Sequence, residues 1–344
     1  MDTATKLEFI QALPKVELHM HLEGSLEPEL LFEIAGRNGL KVPFASPEEI
    51  REKCNFTSLQ SFLDLYYEGH KVLCTHADFK DLAYAYFKRV SVTNLRHAEL
   101  FFEPQEHTVR GVKMEDIVMG LTEGCELGLK EFGITSELIL CLLRHYDVAN
   151  MMDTLKAALP FKQYIKGVGM CSTEIGYPPT LYTEVFQFAK DNGFRITSHA
   201  GEEGPPDFVR QSVEILGIER CDHGIGMRSD PAVVKLLADK KIGVTMCPIS
   251  NVLLKVTKSI PYSPIRQYLD AGVMICFNSD DPSYFGSTYI DENYEAVEKE
   301  MGLCVAEWVK IARDAITMSW VDDAERASLL AEVDAVCAKY GVAV

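Results

Sequence analysis

The sequence predicts an α/β fold, a (β/α)8 TIM-type barrel with extra helices after strand 1 and at the C-terminus. Eight short apolar runs alternate with longer segments of helical periodicity along the 344 residues, which is the pattern of parallel strands joined by helices. Many of the runs are close to continuously apolar, as strands buried on both faces are. We therefore expect one domain that spans residues 1–344.

The eight predicted strands are each shorter than the segment that follows them. In chain order they are VELHMH (16–21), NLRHAELFF (94–102), ITSELILCLL (134–143), IKGVGMC (165–171), FRITSHA (194–200), ERCDHGI (219–225), KIGVTMC (241–247) and VMICFNSD (273–280).

Helices are predicted between these strands. Apolar residues recur at close to helical spacing in 113–132 and 180–192, and 230–240 begins with the helix-start signal Asp230-Pro231. The gap after the first strand is far longer than one helix needs, so we expect a helical cap insertion at about 26–90. Residues 305–340 are expected to form further helices that pack outside the barrel.

The main structural alternative is a doubly wound open sheet. That fold would be favoured by a glycine-rich phosphate turn, GxGxxG, directly after the first strand. The chain has GSLEPE at 24–29 instead. The barrel is therefore preferred.

Composition and charge exclude several functional classes. The net charge of −17 argues against nucleic-acid binding, which needs a basic footprint, and suits an enzyme of neutral or cationic small molecules. No run of eighteen uncharged apolar residues predicts a membrane span. The start MDTATKLEFIQALPK does not resemble a secretion signal, so we expect a cytoplasmic protein. The ten cysteines form no CxxC pair, which disfavours a cysteine-based zinc site.

Two histidines end the first predicted strand. Side chains at i and i+2 share one face of a strand, so His19 and His21 would both point into the barrel and could hold one metal ion. The alternative is a pair of core histidines bonded to the backbone. Active sites of such barrels lie at the carboxyl ends of the strands, which favours the metal.

Two further strand ends supply the remaining predicted ligands. His199 ends run five and Asp280 ends run eight. Three histidines and one carboxylate suit Zn2+, which lowers the pKa of bound water to about 7. A two-metal centre would need a bridging group, often a carbamylated lysine at the end of strand four, but Lys166 lies at its beginning. We therefore expect one Zn2+ per chain.

Three residues near these ends are candidates for proton transfer or substrate contact. Glu202, in a glycine-flanked loop, could be a general acid, although spacing does not separate it from Glu203. His223 could be a fifth ligand, a base that orients the metal-bound water, or a structural histidine. Asp281 follows Asp280, and in an extended chain the two would point apart, or the DDP sequence could form a plain turn.

One further motif is a chance match. His97-Ala98-Glu99 fits the H-x-E half of the zinc deaminases that act on cytidine and nucleic acids, but their P-C-x-x-C half is absent. We assign no function to it.

Five motifs in order resemble one family. LHMHLEGS, HAGEEGPP, CDHGIG, CPISN and NSDDPSYFG are similar to the adenosine and adenine deaminases of the amidohydrolase superfamily, over a match from about Pro14 to past Tyr294. The resemblance implies a (β/α)8 barrel with one zinc ion and a hydrolase that acts on cyclic amidine C–N bonds.

Residue roles follow from the resemblance, position by position. It implies zinc ligation by His19, His21, His199 and Asp280, protonation of purine N1 by Glu202, activation of the attacking hydroxide by His223, and a hydrogen bond to N7 from Asp281. The implied reaction is attack of zinc-bound hydroxide at purine C6, which converts adenine to hypoxanthine and ammonia.

The resemblance also bears on the substrate. Adenosine deaminases carry HLDG where this chain has HLEG, and the longer Glu23 would intrude where ribose sits, so a free purine base is preferred. Alternatively, Glu23 only caps or pairs with the next segment. Cys171 departs from the aspartate usual in the adenine branch, and with Ser172 and Glu174 we expect it near the pocket.

Several alternatives remain open at this point. The substrate could be an N6-substituted adenine, such as isopentenyladenine, or adenosine. A catalytically silent purine-binding barrel is the non-enzyme alternative. The sequence leaves open whether the chain forms a homo-oligomer.

Overall fold

A computed structural model describes residues 2–343. It contains eight parallel strands, each paired with the next along the chain, so the predicted fold class and all eight predicted strands are confirmed. The strands are β1 Lys15–His21, β2 Leu95–Phe102, β3 Thr135–Leu143, β4 Gly167–Cys171, β5 Arg195–Ala200, β6 Arg220–His223, β7 Gly243–Met246 and β8 Ile275–Phe277.

The barrel is closed by the residues that follow β8. Met20 and Asp280 form a parallel bridge. The backbone N–H of His21 donates to the Asp280 carbonyl (2.9 Å), and the N–H of Asp280 donates to the His19 carbonyl (3.1 Å). Closure therefore brings Asp280 directly beside both histidines of β1.

Helices surround the strands and fill the gaps between them. Within residues 2–343 they are α1 Thr3–Ala12, α2 Pro28–Arg37, α3 Pro47–Lys53, α4 Leu59–Gly69, α5 His76–Val90, α6 Pro104–Thr108, α7 Met114–Phe132, α8 Val148–Ala158, α9 Thr183–Asp191, α10 Pro206–Gln211, α11 Pro231–Lys240, α12 Pro248–Leu253, α13 Ile265–Asp270, α14 Ile290–Met301, α15 Val305–Met318 and α16 Asp323–Lys339.

The long insertion after β1 has two parts. Helix α4 begins with a capping box in which Ser58 and Ser61 satisfy each other's backbone N–H groups, and its apolar face packs on Tyr284 and Phe285 beyond β8. Helix α5 instead packs along α7 on the outside of the barrel. The last helix of the predicted insertion at about 26–90 therefore lies beside α7.

The amino end of the barrel is plugged by the segment between α15 and α16. A Cβ on Gly167 would come within 2.4 Å of the Trp320 ring, so glycine at the start of β4 allows this close approach. The Arg220 guanidinium lies 4.3 Å from the centre of the same ring and 2.6 Å from Glu99 Oε2. The helices of 305–340 pack outside as predicted, but their linker fills the barrel.

None of the helices within residues 2–343 combines the length and the apolar character that crossing a bilayer requires.

Candidate active site

Four side chains converge at the carboxyl end of the barrel. Ligand atoms of His19, His21, His199 and Asp280 all lie within 4.8 Å of one another. His21 Nε2 is 3.2 Å from His199 Nε2, and His19 Nε2 is 3.2 Å from Asp280 Oδ1. All four residues are buried.

These residues fit a bound metal ion. His21 Nε2 and His199 Nε2 face each other, and each ring has a carboxylate beside its Nδ1 atom, Glu103 and Asp222 respectively. A neutral ring that carries its proton on Nδ1 leaves Nε2 as an acceptor, so two such rings place two lone pairs where a metal ion would bind. His19 Nε2 makes no hydrogen bond within residues 2–343. Three nitrogens and one carboxylate oxygen in a buried cluster are a donor set that Zn2+ favours. His19, His223, Cys247 and Asp280 are also mutually close, which leaves room for His223 as a fifth ligand.

Glu202 and His223 lie next to this cluster. His223 Nε2 is 3.7 Å from Glu202 Oε2 and 3.9 Å from Asp280 Oδ2. Burial, followed by the charge of Asp280, raises the pKa of Glu202 well above its usual value, which favours a protonated carboxyl group at neutral pH. Burial and the neighbouring His19 lower the pKa of His223 to about 3, so its ring is neutral.

Left-handed backbone conformations mark the strand ends. Ser172 (φ 76°), His223 (φ 66°) and Asp280 (φ 65°) follow or end β4, β6 and β8, a region that non-glycine residues seldom occupy. Of the two alternatives for the DDP sequence, the chain therefore turns at Asp280 and is not extended there. Because the chain turns at Asp280, both carboxylates line the same cavity.

A small cavity lies over these groups. Helix α4 and the loop after α12 supply an apolar roof, and the strand ends supply the polar floor. Its lining residues are His21, Leu59, Phe62, Leu63, Tyr66, Tyr67, Glu103, Cys171, Ser172, His199, Glu202, His223, Leu254, Asp280 and Asp281.

Known proteins are similar to this chain in sequence and in fold. A family model described as adenosine deaminase matches residues 14–336. The chain belongs to this family. Adenine deaminase from Sphingopyxis alaskensis is 47% identical over 95% of this chain and 96% of its own length. Adenine deaminase from Caulobacter vibrioides is 45% identical over 97% of this chain and 96% of its own length.

Solved structures agree. The crystal structure of adenine deaminase from Arthrobacter aurescens superposes with a TM-score of 0.91 and 40% identity, covering 94% of this chain and 98% of that one. An amidohydrolase from Burkholderia ambifaria with bound Zn superposes with a TM-score of 0.89 and 26% identity, covering 99% of this chain and 96% of that one. The predicted adenine deaminase-like branch of the amidohydrolase superfamily is confirmed, as is a hydrolase that acts on C–N bonds in cyclic amidines.

In this family member, each of the three predicted histidine ligands has a buried polar neighbour. Glu103 Oε1 lies 2.8 Å from His21 Nδ1, and Asp222 Oδ2 lies 3.5 Å from His199 Nδ1. Thr245 Oγ1 lies 2.9 Å from His19 Nδ1 and donates to Asp222 (2.9 Å). Such neighbours orient metal-binding imidazoles.

Glu103 and Asp222 were not among the predicted site residues. Both lie at the carboxyl ends of strands, directly after β2 and within β6. The rule that selected His199 and Asp280 would therefore also have selected them, had it been applied to every acid at a strand end.

The other predicted substrate contacts divide into two groups. Cys171 and Ser172 line the cavity, where Tyr67 Oη donates to Ser172 Oγ (2.9 Å). Glu23 lies behind Glu103, and its Oε1 accepts the Glu103 backbone N–H at 2.9 Å. Glu23 Oε1 also lies 3.0 Å from His107 Nε2, and neither residue is among those that line the cavity.

Glu174 also lies behind the cavity. Its carboxylate accepts the backbone N–H groups of Gly201 (2.6 Å), Glu203 (3.0 Å) and Gly204 (2.8 Å). A single buried carboxylate thus fixes the loop that carries Glu202. The structure places Glu174 as a support for this loop.

Proposed function

We propose that this family member is a zinc-dependent adenine deaminase that hydrolyses adenine to hypoxanthine and ammonia. The observation that carries the proposal is that a buried Glu202 with a raised pKa and a His3Asp cluster face one small cavity. Relatives named adenine deaminase, 43–47% identical over at least 95% of this chain, support the choice of substrate.

We assign the metal to His19, His21, His199 and Asp280, whose atoms converge, with one ion per chain. A divalent ion bound there lowers the pKa of a water molecule so that hydroxide forms near neutral pH. Lys166, the lysine of the β4 segment, pairs with Glu137 at 2.9 Å and lies outside the ligand cluster, which supports a single ion.

Glu202 supplies the proton that this reaction needs. Adding hydroxide at purine C6 breaks the aromaticity of the ring, so N1 must gain a proton in the same step. The raised pKa of Glu202 keeps that proton available. The neutral His223 accepts the proton of the added oxygen and passes it to the exocyclic amine, whose C6–N bond then breaks to release ammonia.

Asp281 orients the purine. Burial and the charge of Asp280 raise its pKa well above the usual value, so the carboxyl group holds a proton. It can therefore donate a hydrogen bond to purine N7, which has only a lone pair. This contact would favour purines over pyrimidines.

The roof of the cavity favours a free base. Leu59, Phe62 and Tyr66 of α4 close over the polar floor and leave little space for a ribose. We propose that Glu23 acts by holding Glu103 in place through the backbone contact. Because Glu23 is not among the residues that line the cavity, we propose that its effect on a ribose is indirect.

Deamination of N6-substituted adenines is the second candidate. Cys171 and Ser172 on the cavity wall favour it, because the small thiol stands where the adenine branch usually has an aspartate. A larger amine could then be accommodated on that side.

Substrate profiling tests both candidates. We expect kcat/KM for adenine to exceed that for adenosine by orders of magnitude, with isopentenyladenine between the two. A preference for adenosine would exclude the free-base proposal. A preference for isopentenyladenine that Cys171→Asp reduces would support the second candidate. If the protein turned over none of these purines, the catalytically silent purine-binding barrel would be the remaining alternative.

A further inference from the structure

A second cluster of metal-binding groups lies beside the first. Ligand atoms of His21, Glu103 and Cys171 lie within 4.8 Å of one another. Glu103 Oε1 is 2.8 Å from His21 Nδ1 and 3.6 Å from Cys171 Sγ. The three side chains come from β1, the residue after β2, and the end of β4. The carboxyl ends of three strands therefore fix their positions, with β3 between β2 and β4.

The cluster has free coordinating capacity. Glu103 is 2% exposed, and its Oε2 makes no hydrogen bond within residues 2–343. A buried carboxylate oxygen without a partner costs free energy, which a bound cation would offset. Tyr66 Oη donates to Glu103 Oε1 at 3.2 Å, which holds the carboxylate towards the cavity.

The donor types select the kind of ion. One imidazole nitrogen, one carboxylate oxygen and one thiolate sulfur suit Zn2+ and softer thiophilic ions such as Cd2+, and they suit Mg2+ or Ca2+ poorly. The His3Asp cluster has no sulfur donor. A thiolate bond would therefore distinguish an ion in the second cluster from one in the first.

We propose that His21 Nδ1, Glu103 and Cys171 form a second, inhibitory site for a thiophilic divalent cation, filled when the metal is in excess. The site goes beyond the proposed deaminase activity. Coordination displaces the thiol proton of Cys171 and the Nδ1 proton of His21 to solvent, with no change in oxidation state. Because Glu103 and Cys171 line the cavity, the ion would compete with the purine.

Cadmium titration of the enzyme loaded with one zinc ion per chain tests this site. Bound cadmium is counted by equilibrium dialysis, and the cadmium–thiolate charge-transfer band is followed in the ultraviolet. We expect one added ion per chain, a thiolate band that grows in step with it, and a rise in KM with little change in kcat.

Three variants identify the ligand. Cys171→Ser should lose the band and the added ion while it keeps the first metal. Cys171→Asp should lose the band and keep the ion, because it restores an oxygen ligand. Cys247→Ser is the matched control, since Cys247 is also a buried thiol beside the His3Asp cluster, and it should keep both.

Other results would overturn the site. These are a band that survives in Cys171→Ser, a band lost in Cys247→Ser instead, or wild-type enzyme that takes up no added ion. Adenine turnover measured before cadmium is added reports separately on the proposed function, so the two can fail independently.

Discussion

The two ends of this barrel hold buried charges in opposite states. At the amino end, Glu99 and Arg220 are both fully buried and paired at 2.6 Å. At the carboxyl end, the salt-bridge partners of Asp280 and Glu202 within residues 2–343 are all histidines. Buried atoms without a hydrogen-bond partner occur at both ends, on Arg220 and on the three imidazoles. The amino end therefore holds a permanent ion pair, whereas the carboxyl end holds titratable groups with perturbed pKa values in a cavity, which is typical of a functional site.

The pKa values show the same contrast. Burial alone would raise the pKa of Glu99, but the adjacent Arg220 lowers it to about 2. The Glu99 carboxylate therefore stays ionised and pairs with Arg220. Burial and the neighbouring charge of Asp280 raise the pKa of Glu202 well above its usual range. One barrel thus holds an ionised glutamate at one end and a protonated one at the other.

The largest effect is expected from removing the proton donor at the carboxyl end. Glu202→Gln keeps the shape but cannot transfer a proton to N1, so kcat should fall about 100- to 10,000-fold, with zinc content unchanged by elemental analysis. Glu203→Gln is the control, since Glu203 is outside the cavity lining, and it should remain near wild type. Equal losses in both variants would contradict the assignment.

Breaking the pair at the amino end should affect stability and leave the chemistry intact. Glu99→Gln leaves Arg220 buried without its counter-ion and should lower the free energy of unfolding by about 3–5 kcal/mol in urea denaturation. Glu137→Gln, which breaks the half-exposed pair with Lys166, should cost about 0–1 kcal/mol. A similar loss in the free energy of unfolding for both variants would show that burial does not determine the cost of breaking these ion pairs.

The same pair should make stability depend on pH. The pKa of Glu99 is lowered from 4.5 to about 2 on folding, so its contribution is complete above pH 4.5 and is lost as the pH falls towards 2. The full contribution is about 3 kcal/mol. Urea titrations between pH 6 and pH 3 should show the wild type approaching Glu99→Gln in stability, and a constant gap would refute this linkage.

A smaller effect is expected from the carboxylate behind the metal cluster. Asp222→Asn weakens the contacts to His199 and Thr245, and should reduce metal affinity about 10- to 100-fold, measured by competition with a chelator. Asp239→Asn, on a surface pair with Lys235, should leave the affinity unchanged. If Asp222→Asn bound the metal with wild-type affinity, Asp222 would not be a residue that orients the metal-binding histidines.

Much of the fold and part of the site could be predicted because the pattern of a strand depends on residues that are close together in the sequence. The period of two along β1 placed His19 and His21 on one face, and the strand-end rule selected His199 and Asp280. The positions of Glu23 and Glu174 could not be predicted, because both contact backbone N–H groups far along the chain. Their partners are set by which strands are neighbours.

The sequence by itself determined the eight strands, their alternation with helices, and the residue types at the strand ends, because these depend on periodicity and on chain order. Only the tertiary structure decided that Asp280 turns into a left-handed conformation and closes the barrel beside His19 and His21. It also brought Glu103 and Cys171 together. Such contacts depend on barrel closure and strand register, which join residues that are distant in the chain.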